Sequence, residues 1–138
     1  MDTHFVSTEF KGGMSFKAVI NNHPVLMDTV RDEGGNDTGP SPKRLMLASL
    51  TGCTGMDIVS ILNKMKVPFS NLSIDIEAAV TEEYPKIYNH VKLTYKIKLA
   101  ITDQPKMLKA VNLSQDKYCS VTAMFKAFAK LETEIIYL

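Results

Sequence analysis

Little in this sequence announces a function. Two cysteines in 138 residues are too few for a disulfide scaffold, and in a reducing compartment both are expected to rest as thiols. The three histidines, His4, His23 and His90, stand alone. No Cys/His spacing suits a zinc site, so no metal is expected. Neither sign of charge is in excess: 16 basic and 15 acidic residues leave a formal +1. With no basic stripe and no acidic tail, nucleic acid is not an expected partner. Uninterrupted apolar runs are a few residues long, far short of a membrane span. The opening MDTHFVSTEF lacks the cationic-then-apolar order of a secretory signal. There is no internal repeat, P-loop or dinucleotide fingerprint. These absences point to a soluble cytoplasmic protein that carries no bound cofactor and meets no membrane.

What is present is an ordinary globular composition, 45% hydrophobic, long enough to bury a core in a single domain spanning 1–138. The first third reads as short strands. Phe5–Phe10 and Met14–Ile20 are parted by Lys11-Gly12-Gly13, and Val25–Asp28 follows the turn Asn21-Asn22-His23-Pro24. DEGGNDTGPSP, residues 32–42, is rich in Gly and Pro and must be a loop. It leads into a long helix over residues 43–66, which Ser41 can cap and Pro42 can start. Apolar residues surround most of its girth, leaving a thin polar stripe through Thr51, Thr54, Ser60 and Asn63. Such a helix is expected to be central and covered on several sides. Strict alternation then marks two strands, Leu72–Val80 and His90–Leu99, with one face buried and one wet. Asp75 and Glu77 are available to pair with the lysines of the second strand. A short helix Pro105–Leu113, a helix capped by Ser120 and a strand Glu132–Leu138 complete an α+β order.

The chemistry-bearing residues are the two cysteines. Cys53 sits in LTGCTGMDIVSIL, between Gly52 and Gly55, which together weaken a helix by about 2 kcal/mol. Two readings are open. An unpaired Cys commonly packs as a small hydrophobe, and an ionised Asp57 one turn on would raise its pKa. Against that, the glycines thin the side-chain layer and admit another backbone or a small ligand. Cys119 stands just before the expected cap Ser120, where helix N–H groups favour a thiolate. It too reads equally well as a buried spacer.

GPSPKRLMLASLTGCTGMDIVSILNKM, together with LSQDKYCSVTAMF and GGMSF, resembles the OsmC/Ohr family of thiol peroxidases, and within it the YhfA-like branch. The likeness runs over about residues 3–138. It implies an OsmC-like fold, with antiparallel sheets packed around a long central helix, in an intertwined homodimer with sites at the interface. It implies that Cys53 is the peroxidatic thiol and Cys119 the resolving one, with an external dithiol as reductant. Two positions depart from the pattern. Where the family's peroxidases place an activating Arg, this chain has Met14; where they place its Glu partner, it has Lys43, followed by Arg44. Lys43 or Arg44 would substitute only across the dimer or through a bent helix, since Lys43 lies ten residues, about 15 Å, before Cys53. Their other reading is a solvated first turn. A rival function follows from the departures: a dimer that binds a small apolar ligand at its interface and reduces no peroxide.

Overall fold

The computed structural model describes residues 2–138. It divides into two compact units, one up to Leu47 and one of Ala48–Leu138. The first unit is an antiparallel meander of β1 (Ser7–Gly12), β2 (Ser15–Ile20) and β3 (His23–Met27). Asn21 and Asn22 both take positive φ, 54° and 67°. That conformation matches the twist of a two-residue hairpin, and Asn tolerates it better than most residues. The expected strands are present with ends shifted by at most two residues. Ala18 is buried, but Phe10, Phe16, Val19 and Leu26 are exposed within the chain.

The loop after β3 is closed by a residue that the sequence did not single out. Asp28 is buried. Its carboxylate accepts hydrogen bonds from the Thr29, Asn36 and Thr38 amides and, at 2.6 Å, from the Thr38 hydroxyl. The Thr38 hydroxyl first, then the Thr29 amide, hold its pKa below the usual carboxylate value, against the effect of burial. Gly35 lies so close to the Thr29 carbonyl that a Cβ there would collide with it.

Helix α1 runs from Pro42 to Lys64, so proline takes the first helical position as expected. Its buried residues are Leu50, Thr54, Ile58 and Leu62, a single stripe at four-residue spacing. Within one chain the helix is therefore covered on one side, not several, and Met56 is 76% exposed. By length and composition α1 is apolar enough to cross a membrane. Counting uninterrupted apolar runs did not anticipate this, because Thr and Ser break the runs without lowering the average much.

The second sheet has the order β4 (Ser70–Val80), β5 (Tyr88–Lys98), β6 (Lys130–Tyr137). β5 is central, and its alternate residues Val91, Leu93, Tyr95 and Ile97 are fully buried. On the wet face Lys96 pairs with Asp75 at 2.8 Å, as anticipated, while Lys92 meets Glu134 of β6 at 3.0 Å. β4–β5 is antiparallel, as is all of the first sheet. β6 is parallel to β5, because the chain returns through α2 (Gln104–Leu113), a π-turn (Ser114–Tyr118) and α3 (Ser120–Lys126). A crossover of that length delivers a strand in the parallel sense.

Candidate functional site

The crossover and α1 bring the cysteines together. Both are free thiols, Cys119 buried and Cys53 partly so, and Cys53 lies near enough to raise the Cys119 pKa. They stand 119 − 53 = 66 positions apart in the sequence, so tertiary structure alone creates the pair. Burial pushes the Cys119 pKa up, and the neighbouring Cys53 adds to the shift. The Thr122 side chain and amide pull the other way. The helix start therefore does not make Cys119 a resting thiolate, because desolvation outweighs the favourable N–H groups.

Cys119 itself, not Ser120, is the N-cap of α3, and its sulfur accepts the Thr122 amide at 3.3 Å. The Thr122 hydroxyl is buried, with no hydrogen-bond partner of good geometry among the described residues.

Next to the thiols lies a buried polar network. Thr54 Oγ1 is 2.7 Å from Tyr95 Oη and 2.7 Å from Ser114 Oγ. Ser114 donates to Asp57 Oδ2 at 2.9 Å, and Gln115 Nε2 donates to Tyr95 Oη at 2.9 Å. Burial pushes the Tyr95 pKa up, against its hydrogen bonds with Thr54 and Gln115. The sequence singled out Asp57 but not its partners. Tyr95 reads as one more apolar residue of a strand, and Thr54 as part of the helix's thin polar stripe, a pocket wall beside Cys53. Periodicity reports which face is buried, not what a buried hydroxyl will find there.

Gly52 faces open space, and a Cβ on Gly55 would come within 3.2 Å of the flexible end of Ile74. Both glycines line an open, mainly apolar groove of about 590 Å³ with Thr51, Met56, Val59 and Leu72. The expectation of thinned side-chain cover thus holds for this helix face. The remaining candidates belong to the first unit. Met14 is half exposed at the β1–β2 turn. Lys43 and Arg44 are exposed in the first turn of α1, and Arg44 Nη1 lies 3.3 Å from Ser41 Oγ. Among the described residues no three His, Cys, Asp or Glu side chains gather as a metal site.

Residues 34–134 match the family described as OsmC-like protein. Protein YhfA of Escherichia coli K12 is 30% identical over 106 residues, 77% of this chain and 76% of that one. A hypothetical protein from Aquifex aeolicus superposes with TM-score 0.86 at 26% identity, covering 100% of this chain and 98% of its own. The organic hydroperoxide resistance protein OsmC from Legionella pneumophila has the same fold, with TM-score 0.68 at 14% identity, covering 98% of this chain and 97% of its own.

Proposed function

The chain belongs to the OsmC-like protein family, and on that premise we propose that it is a thiol-dependent reductase of organic or hydrogen peroxides. The observation that carries this reading is that two free thiols distant in sequence, Cys53 and Cys119, lie close together in the fold. Cys53, the more exposed thiol, attacks the peroxide as thiolate. Its sulfur bonds to one peroxide oxygen, the O–O bond breaks, and the other oxygen leaves as an alcohol or water after taking a proton. The product on the enzyme is a sulfenic acid. Cys119 then attacks that sulfur, water leaves, and a Cys53–Cys119 disulfide forms. An external dithiol returns the pair to thiols, becoming a disulfide itself.

The matched residues 34–134 span both compact units, which supports treating the chain as one domain. A homodimer is part of the proposal. The uncovered apolar faces of α1 and of the first sheet support it, and a second copy would bring Lys43 or Arg44 towards Cys53 in place of the missing Arg. Free thiols fit a reducing, cytoplasmic setting.

Two observations favour a second reading. Met14 stands where the resemblance calls for a cation, and the groove lined by Gly52 and Gly55 is mainly apolar. Both suit a dimer that binds a small apolar ligand without reducing peroxide.

The test is consumption of cumene hydroperoxide and of hydrogen peroxide with dithiothreitol as reductant. Turnover should vanish in Cys53→Ser. In Cys119→Ser a sulfenic acid should be trapped by dimedone. Absence of both turnover and a sulfenic acid in the wild type would favour the ligand-binding reading.

A further inference from the structure

We infer that Asp57 is a positioning residue, the terminus of a one-way hydrogen-bond chain from Tyr95 through Thr54 and Ser114 that holds the Cys119 turn against Cys53. The inference rests on the two thiols acting as a pair, as proposed above. Ser114 Oγ donates its hydrogen bond to Asp57 Oδ2 at 2.9 Å. Its oxygen is left to accept from Thr54, and Thr54 in turn accepts from Tyr95, each at 2.7 Å. Gln115 Nε2, which can only donate, closes the far end on Tyr95. Every hydroxyl gives one bond and takes one, and no other direction satisfies both ends.

The chain grips one particular piece of backbone. Ser114 and Gln115 are the first two residues of the π-turn. Ser114 is held by α1 through its side chain, and Gln115 by β5. The Ser114 carbonyl accepts the Cys119 amide at 2.9 Å, so fixing Ser114 fixes Cys119. Isolated π-turns are rare and occur often at functional sites. Thr54 and Asp57 lie on the same helix as Cys53, so nucleophile and clamp share one rigid element. Ser114, Thr54 and Tyr95 are wholly buried, and breaking the chain would leave a buried hydroxyl without a partner.

The measurable quantity is the effective concentration of one thiol for the other. The full-length protein is equilibrated with mixtures of reduced and oxidised glutathione. Cys53 and Cys119 lose two hydrogens to form their disulfide, and glutathione disulfide takes them up as two glutathiones. The oxidised fraction is read by mass after acid quench and alkylation, with melting temperature measured alongside. Ser114→Ala and Asp57→Ala should lower the equilibrium constant roughly tenfold, as misplacement of reacting groups does. Asp57→Asn keeps an acceptor oxygen and should stay near wild type. Tyr137→Phe removes a hydrogen bond to the Gln104 carbonyl elsewhere. It should lower the melting temperature without moving the constant.

An unchanged constant in folded Ser114→Ala and Asp57→Ala would overturn the inference. So would an equal shift in Tyr137→Phe, or a wild type that forms no Cys53–Cys119 disulfide in any mixture. A wild type that forms the disulfide in glutathione but ignores peroxide would remove the peroxidase reading and leave the clamp standing.

Discussion

A thiol is a weak hydrogen-bond acceptor, yet Cys119 caps α3 through its sulfur. In the proposed cycle the geometry that caps the helix would also help the sulfur to leave: Cys119 would depart as thiolate when a dithiol attacks the disulfide at Cys53, with the Thr122 amide already donating to it. Burial meanwhile raises the pKa of the resting thiol above the ordinary cysteine value. Alkylation of Cys119 followed against pH by mass spectrometry should therefore have a midpoint above that of a free cysteine. In Thr122→Val it should move higher still, because a group that lowers the pKa has gone. The sign for stability follows from the same shift. The folded state binds the Cys119 proton more tightly than the unfolded chain, so this group favours folding below the unfolded pKa and loses that contribution as pH rises through the folded one.

At the scale of elements, the loop from Asp28 to Thr38 is closed by one carboxylate. Its pKa is lowered in the fold, so its contribution is present above the unfolded value of about 3.9 and is lost as pH falls through the folded value. Limited proteolysis of this loop should accelerate only in strong acid, below the usual carboxylate range. In Asp28→Ala it should already be fast at neutral pH.

The sequence made this loop legible as a loop but did not identify its clasp, since an Asp at a strand end reads as a turn residue. Other elements divide the same way. Alternation located the β4–β5 pair and its buried face, and Pro42 located the start of α1. The parallel entry of β6 was not legible, because a strand's own pattern says nothing about which way its neighbour runs. Nor was the meeting of Cys53 with Cys119 readable from spacing. It came from the resemblance alone, and the fold supplies its physical basis in the crossover that carries Cys119 back to α1.

At the scale of the whole molecule, much apolar surface on the single chain calls for cover. The sides of α1 away from Leu50, Thr54, Ile58 and Leu62 carry Met46, Met56 and Val59, all exposed. Sedimentation equilibrium at low micromolar concentration should give twice 15.4 kDa. Replacing Met56 by Lys should shift the population towards monomer, because a charge buried in an apolar contact without a partner costs several kcal/mol.

The position of the two sulfurs has one more consequence, and it concerns the topology of the covalent chain. A bond between them would turn residues 53–119 into a closed ring containing β4, β5 and α2, with the remainder as two tails. Such a ring, spanning 119 − 53 = 66 positions, removes so many states from the unfolded chain that stability should rise by roughly 4 kcal/mol. Oxidation would then leave a physical record. The ringed form should migrate faster than the linear one on a denaturing gel without reductant, and it should melt at a higher temperature in scanning calorimetry.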